Sequence, residues 1–201
     1  AILPNLHGLM ALVLLGAGGL GTLALFFVLP GEGVLYRLLM LAGFILLSGV
    51  WILTVLLSGM KRYKAIVALF ALSYGLIVVS ALLMRRWGLE GLLGGFVLGH
   101  YVLLAGMWLL IVREFHPARR MVAFDFLQAG TLYPALVAMG FLWNLGIWAD
   151  KFMFWFFTPT SQPIIGHLRA SLIYDLPVFL SYLSIIPGMA VFLVRIETDF
   201  V

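Results

Sequence analysis

Residues 91–112, GLLGGFVLGHYVLLAGMWLLIV, contain no aspartate, glutamate, lysine or arginine. A helix needs about 20 apolar residues to cross the roughly 30 Å of hydrocarbon in a bilayer, so this stretch is long enough to span a membrane. Five other runs in the chain have the same character. The six runs occupy about 7–29, 35–57, 65–84, 91–112, 131–157 and 171–194.

The composition agrees with a membrane protein. Hydrophobic residues make up 64% of the 201 residues and charged residues 10%, and the mean hydropathy is +1.16. A soluble domain could not hide so much apolar surface behind so few charges. Because the runs are continuous rather than alternating, they favour helices over the strands of a barrel. The predicted fold class is all-α, a polytopic transmembrane helical bundle with about six spans.

Motifs for catalysis are missing from the sequence. It contains no HExxH, GxSxG or P-loop motif and no His, Asp and Glu cluster with metal-ligand spacing. With no cysteine, these residues also cannot form disulfides, thiolate metal sites or a cysteine nucleophile. We therefore expect a protein that is not an enzyme and that uses no metal or other cofactor.

The lysines and arginines indicate how the spans are oriented. If all six runs cross the membrane, seven basic residues lie in loops on one side and four on the other. The first set is Lys61, Arg62, Lys64, Arg113, Arg119, Arg120 and Arg195, and the second is Arg37, Arg85, Arg86 and Arg169. Because basic residues are enriched in cytoplasmic loops, the first set is expected to face the cytoplasm.

The longest connection, residues 113–130, is also the most highly charged, with the sequence REFHPARRMVAFDFLQAG. It separates four spans from two. It is therefore either the joint between two helical bundles or simply a long loop. Its aromatic and aliphatic residues could also form the apolar side of a short amphipathic helix at the membrane surface.

The run at 91–112 carries a row of small residues and a histidine. Gly91, Gly95 and Gly99 recur every four residues, which predicts close packing of another helix on that face; a glycine-lined cavity is the alternative. His100 lies beside the row in mid-span. Since imidazole titrates near neutral pH, it is a candidate proton relay, whereas a hydrogen-bonded core histidine is the alternative.

Two adjacent charges, Asp150 and Lys151, occur in the aromatic stretch NLGIWADKFMFWF. A charge at the centre of a span costs about 2.5–3.5 kcal/mol on insertion scales, so such residues usually face protein or water. One helix face, at positions i, i+4, i+7 and i+11, carries Asn144, Trp148, Lys151 and Trp155. We interpret this polar–aromatic stripe as the lining of a substrate pathway, with Asp150 on a neighbouring face. Alternatively, Asp150 neutralises a cation on another helix and the tryptophans form an interfacial belt.

The last run adds Tyr174 and Asp175 to the predicted pathway, within the segment IYDLPVFLSYLSIIPG. Pro177 and Pro187 each remove a backbone hydrogen bond. In a membrane, a helix broken in this way is tolerated where protein or a cavity satisfies the freed groups. The two prolines therefore predict a helix break, and a simple proline kink is the alternative.

The two acids of the last two runs are expected to lie near each other. If these runs form antiparallel neighbours, Asp150 and Asp175 have similar depths near the outer end. There they either form a rim that attracts cations or pair with Arg169 or Lys151 as structural struts.

Five segments of the chain resemble the PelG family of exopolysaccharide exporters. They are LYRLLMLAGF (35–44), LSGMKRY (57–63), FDFL (124–127), NLGIWADKFMFWF (144–156) and LRASLIYDLPVFLSYLSIIPGMAVFLVRIETDF (168–200). The last two segments are long and unusual, so the resemblance is more specific than a general likeness between membrane proteins.

The resemblance implies a multi-pass transporter of the bacterial inner membrane, related to the MOP flippase superfamily of MATE transporters and oligosaccharide flippases. Such proteins have two helical bundles and move cargo by alternating access. On that template, residues 1–112 are four late helices of the N-terminal bundle, 113–130 is the cytoplasmic connection, and 131–201 holds the first two helices of the C-terminal bundle. We therefore expect a piece of a longer protein.

The resemblance also implies a substrate and partners. The substrate is the Pel exopolysaccharide of biofilms, an amino-sugar polymer with cationic character, which acidic and aromatic residues would suit. The implied partners are the inner-membrane proteins PelD and PelE, the cytosolic glycosyltransferase PelF and the lipid bilayer, without nucleic acid. Two other functions stay open: a structural membrane subunit that anchors a polysaccharide synthase complex, and a small-molecule or ion antiporter of the same superfamily.

Overall fold

The computed structural model describes residues 2–115, 120–128 and 133–199. Its helices are α1 Ile2–Val28, α2 Val34–Gly59, α3 Tyr63–Met84, α4 Gly88–Glu114, α5 Pro134–Phe156 and α6 Leu172–Asp199. Short 3₁₀ turns lie at Arg85–Trp87 and Asp125–Leu127, and one antiparallel hairpin is formed by β1 Gln162–Ile165 and β2 Leu168–Ala170. The all-α prediction is confirmed, apart from this hairpin. The chain divides into two compact units, Ala1–Leu132 and Tyr133–Val201.

Three helical stretches are long and apolar enough to cross a membrane within the described ranges. They are Ile2–Val28, Val34–Gly59 and Tyr63–Glu114, and the third, of 52 residues, contains both α3 and α4. In α5 the charged pair lowers the hydropathy, and the apolar stretch found in α6, Leu172–Ile185, is too short to count as a fourth such stretch. The count of about six spans therefore stays a prediction.

In the first unit, α3 and α4 form an antiparallel pair through the predicted glycine row. A Cβ atom on Gly95 would lie 2.6 Å from the backbone nitrogen of Ala81, and one on Gly99 would lie 2.9 Å from the carbonyl oxygen of Ser73. The Ser80 hydroxyl also donates a hydrogen bond of 3.2 Å to the Gly95 carbonyl. Backbones approach this closely only where one side chain is absent, so the packing interpretation of the row is confirmed.

The four helices of the first unit alternate in direction along the chain, and α2 and α4 therefore point the same way. Leu104 of α4 lies beside Gly49 of α2, and Phe96 lies beside Gly43, so these two helices run parallel. The hydrophobic core lies where α1 begins and where α2 and α4 end. It consists of Leu3, Leu6, Met10, Val50, Leu53, Leu57, Ile66, Leu103, Met107 and Ile111.

The start of α1, the end of α2, the start of α3 and the end of α4 meet at one end of the first unit, which we call the basic end. An ion pair between Arg62 and Glu114 joins two of these elements. The basic residues in its described part are Lys61, Arg62, Lys64, Arg113 and Arg120. Arg119 lies outside the described residues. The structure thus places at one end of the first unit the basic loops that the sequence predicts to lie on the cytoplasmic side of the membrane.

Topology can be measured with reporter fusions. Fusions within 58–64 and 113–128 are expected to give cytoplasmic signals, and fusions within 30–34 and 158–168 periplasmic ones, because the basic residues orient the spans. Alkaline phosphatase and green fluorescent protein fusions report the two sides independently. Opposite signals from both pairs of sites would overturn this orientation.

The described part of the 113–130 connection packs on the first turns of α1. Asn5 and Asp125 exchange two hydrogen bonds, of 3.1 and 2.8 Å, and the backbone N–H of Ala123 donates to the Pro4 carbonyl at 2.9 Å. Residues 120–128 contain a 3₁₀ turn and no α-helix, which corrects the expected amphipathic helix in that stretch. The reason is that α1 supplies the hydrogen-bond partners for this backbone.

In the second unit, α5 begins at Pro134, whose fixed φ suits the first position of a helix. The helix α6 continues through Pro177 and Pro187. Neither proline ends the helix, so the expected helix break is wrong. Each proline instead leaves a backbone hydrogen bond missing within a continuous helix. The Ser181 hydroxyl donates to the Pro177 carbonyl at 2.8 Å, within the same helix.

Candidate functional site

The candidate site lies in the second unit, where α5 and α6 run antiparallel. Trp155, near the end of α5, contacts Asp175 in the first turn of α6, whereas Lys151, one turn deeper in α5, contacts Tyr182. The polar and aromatic side chains of this zone form what we call the α5–α6 cluster. Its members are Trp148, Asp150, Lys151, Phe154, Trp155, Tyr174, Asp175 and Tyr182.

Asp150 is exposed and accepts hydrogen bonds from neutral donors. The hydroxyl of Tyr174 donates to its Oδ2 atom, and the backbone N–H of Lys151 donates to Oδ1 at 2.7 Å. The ring of Phe154, one turn further along α5, stacks on Tyr174 with centroids 4.2 Å apart. Tyr174 is thereby held between the Phe154 ring and the Asp150 carboxylate, and its hydrogen bond fixes the position of the Asp150 Oδ2 atom.

The ammonium of Lys151 is surrounded by rings instead of carboxylates. Its Nζ atom lies 5.2 Å from the centroid of Trp148 and 5.6 Å from that of Tyr182, and 3.4 Å from the Tyr182 hydroxyl. A cation within about 6 Å of an aromatic face is attracted to it by about 0.5–1 kcal/mol at exposed sites. Lys151 therefore links α5 to α6 through aromatic contacts.

Asp175 has a different environment from Asp150. The indole N–H of Trp155 donates to both of its oxygens, at 3.0 and 3.1 Å, and the backbone N–H of Ser171 donates to Oδ2 at 2.9 Å. Because a carboxylate in the first turn of a helix also interacts favourably with the helix dipole, Asp175 caps α6. Its hydrogen bonds also fix the orientation of the Trp155 ring.

The hairpin between the two helices closes the same end of the unit. Arg169 donates to the hydroxyl of Ser161 at 2.6 Å and to its carbonyl at 3.1 Å, and the Ser161 hydroxyl donates to the carbonyl of Trp155. The hydroxyls of Thr160 and Ser171 share a hydrogen bond of 2.8 Å. This network joins the end of α5 to the start of α6.

The predicted struts between acids and bases are not formed. Among the described residues, neither Asp150 nor Asp175 has a lysine or arginine side-chain nitrogen within 4 Å, and the guanidinium of Arg169 bonds to Ser161 instead. The two acids nevertheless occur in one cluster, as expected from antiparallel helices. Only Asp150 is exposed, since Asp175 is half-buried beneath Trp155.

The polar–aromatic stripe is brought together over most of its length. Trp148 and Trp155 meet edge to face, with ring centroids 6.5 Å apart, and Lys151 lies over Trp148. Asn144, one turn earlier, donates to the Gly140 carbonyl of its own helix at 2.8 Å. It therefore lies outside the contact zone but remains exposed on the same face of α5.

His100, the candidate proton relay, belongs to the first unit and is 1% exposed. Its Nδ1–H donates to the Phe96 carbonyl at 2.9 Å, its ring packs 4.1 Å from Phe96, and the ring of Tyr74 meets it edge to face at 5.8 Å. These contacts describe a histidine packed between two helices. A role in proton transfer stays a prediction.

The sequence did not single out His7, which joins α1, α4 and the connection. Its ring stacks on Trp108 with centroids 4.6 Å apart, and its Nδ1–H donates to the Met121 carbonyl at 2.5 Å. These partners are separated from it by more than a hundred positions, and no local pattern indicates such contacts. Only the tertiary structure identifies this residue.

Long apolar helices and an exposed cluster of acidic, basic and aromatic side chains define the class of the protein, a helical membrane protein with a polar surface on one pair of helices. The whole chain, residues 1–201, matches the family described as "PelG: Putative exopolysaccharide Exporter (EPS-E)". The chain belongs to this family, which is one of exporters and not of enzymes. Neither a curated protein nor a solved structure matches the chain significantly.

Proposed function

We propose that α5 and α6 line part of the pathway by which an exopolysaccharide crosses the bacterial inner membrane. One observation carries the proposal: Asp150 is exposed, and no lysine or arginine side-chain nitrogen lies within 4 Å of its carboxylate among the described residues, in a helix that is otherwise mostly apolar. Keeping a charge in such a helix is costly unless it faces water or protein. The family supplies the class of cargo.

The α5–α6 cluster offers chemistry suited to a sugar polymer. Ligand sites combine apolar and aromatic walls with a few polar groups that fix orientation, and Trp148 together with Trp155 provides such walls beside the Asp150 carboxylate. Asp175 lies beneath Trp155 and bonds to the start of α6, so its contribution is to the stability of this end of the pathway. A cationic amino-sugar polymer of the Pel type fits the exposed negative charge best.

The family match also supports a wider proposal. We propose a multi-pass exporter that works by alternating access, with 1–112 and 131–201 belonging to two helical bundles joined by the 113–130 connection. PelD, PelE and the cytosolic PelF are the partners expected for it. A scaffold that anchors a synthase complex would need no water-filled surface on α5, which makes accessibility the deciding measurement.

Cysteine labelling tests this surface, and the absence of cysteine from these residues makes single substitutions informative. Cysteines at Asn144, Trp148, Lys151 and Trp155 are expected to react with a membrane-impermeant maleimide, because the thiolate that reacts forms in water. Labelling is measured in intact cells and in inverted membrane vesicles. Alternating access predicts reaction from both sides.

Two control positions separate water from lipid and from protein. A cysteine at Leu53, which is 0% exposed in the core, reports burial in protein. A cysteine at Val78, which is 58% exposed on the apolar helix α3, reports contact with lipid. If the four α5 positions are as unreactive as both controls, α5 lines no aqueous pathway and the scaffold function is favoured.

A further inference from the structure

A cleft opens at the basic end of the first unit, where α2 ends, α3 begins and α4 ends. It has a volume of about 130 Å³, with Leu57 and Leu110 in its wall and Arg62, Arg113 and Glu114 at its rim. A cleft of this volume has room for a small polar group such as a phosphate. Its apolar wall continues into helices that are long enough to cross a bilayer.

The rim of the cleft is positively charged. Arg62 pairs with Glu114, which fixes one guanidinium and cancels one charge. The side chain of Arg113 is exposed and makes no hydrogen bond or ion pair with residues 2–115, 120–128 and 133–199. Its guanidinium is therefore the group at this rim that is available to an anion.

Lys61 lies between Met60 and Arg62, two residues that line the cleft, and it has an unusual backbone conformation. Its φ is 56°, the left-handed conformation that normally favours glycine. Its N–H donates to the Ser58 carbonyl and the N–H of Arg62 donates to the Leu57 carbonyl, which is the hydrogen-bond pattern of a helix end where glycine is usual. A lysine in this conformation costs free energy that a glycine would not cost. The lysine nevertheless provides an exposed, charged side chain, which glycine lacks.

We propose that this cleft binds the phosphate headgroup of an anionic phospholipid, with Arg113 as the anion-binding group in its lining and the exposed Lys61, next to the lining residues in the chain, as a second cation that reaches the headgroup. Basic pockets between helices at the cytoplasmic surface are suited to acidic headgroups, and the apolar wall lies where acyl chains begin. The guanidinium forms paired hydrogen bonds to phosphate oxygens. This binding is independent of export, and it would anchor the basic end in the leaflet that it faces.

Native mass spectrometry of the purified full chain tests the proposal, with phosphatidylglycerol as the probe and phosphatidylcholine as the uncharged reference. Arg113→Gln is expected to weaken phosphatidylglycerol binding about fivefold, the effect of one basic residue at an anionic surface. Binding of phosphatidylcholine should not change. The matched control is Arg86→Gln at the opposite end, where the guanidinium lies 5.2 Å from the Trp87 ring.

The variant Lys61→Gly distinguishes a loss of phospholipid binding from a loss of folding. Glycine relieves the left-handed backbone, so this variant should be at least as heat-stable as the wild type while binding phosphatidylglycerol several-fold more weakly. Three results would overturn the proposal: no loss in either cleft variant, an equal loss in Arg86→Gln, or displacement of the lipid by inorganic phosphate at similar concentration. The second would show diffuse surface charge, and the third a site for free anions.

Discussion

Replacing Gly95 by leucine is expected to abolish the accumulation of folded protein. Even a Cβ atom at this position would lie 2.6 Å from the nitrogen and 2.9 Å from the Cα of Ala81, and both are backbone atoms that cannot move independently of α3. Overpacking a core usually costs about 1–3 kcal/mol. The cost here should exceed that range, because α3 and α4 would have to separate along their contact.

The separation matters more in lipid than it would in water. Helices in a bilayer associate through close packing and interhelical hydrogen bonds, since lipid tails already solvate apolar side chains. Moving α3 away from α4 would also break the hydrogen bond from Ser80 to the Gly95 carbonyl. One substitution therefore removes both the close packing and the hydrogen bond, so neither remains to compensate for the loss of the other.

Gly75→Leu is the matched control, because a Cβ atom at Gly75 of α3 would meet nothing within 4 Å. It should accumulate as the wild type does. The amount of protein in the membrane fraction and its heat stability after detergent extraction measure the difference. Normal accumulation of Gly95→Leu together with lost export would instead place Gly95 on the path of the cargo.

Local periodicity explains why close packing on this face of α4 could be predicted. The apolar run at 91–112 lies within α4, Gly88–Glu114, and glycines spaced by four residues share a helix face whatever the helix packs against. The prediction therefore needed no knowledge of the partner. The same holds for α5, where the spacing of the residues alone puts Lys151 on the polar–aromatic stripe and Asp150 on a neighbouring face.

Contacts that depend on the partner could not be predicted in this way. The sequence predicts a loop where the structure has the hairpin of β1 and β2. The residues between Ser161 and Arg169 carry no strand pattern, and a hydrogen bond from Arg169 to Ser161 holds the hairpin. Asp175 lies near Asp150 in the structure, as expected, yet its partners are the Trp155 indole and the start of α6. Spacing shows which residues share a face of one helix, but not which donors the neighbouring segment presents.

This difference between the two acids leads to opposite expectations for their amides. In Asp175→Asn, one carboxylate oxygen becomes an NH₂ group that can no longer accept from Trp155 or Ser171. The cap of α6 is weakened, and a lost dipole interaction adds about 0.3–1 kcal/mol. This variant should accumulate less and show altered tryptophan fluorescence, while secretion per remaining molecule changes little.

Asp150→Asn is expected to reduce polymer secretion about tenfold while the protein accumulates normally. The amide keeps the shape and can still accept from Tyr174 or from the Lys151 N–H, whereas a cationic cargo loses its charged partner. Hydrogen bonds to charged groups contribute about 1.5–3 kcal/mol, which corresponds to a factor of ten or more. If Asp150 neutralised a buried cation, its loss would instead destabilise the protein by about 3–5 kcal/mol.

The structure favours the first outcome, since the described partners of Asp150 are neutral donors and the side chain is exposed. Secretion should be measured in the full-length protein and divided by the amount of protein in the inner membrane. With Asp175→Asn beside it, the experiment separates loss of transport from loss of protein, because each acid should affect a different one of the two quantities. Secretion per molecule at the wild-type level in Asp150→Asn would contradict a role for this carboxylate in transport.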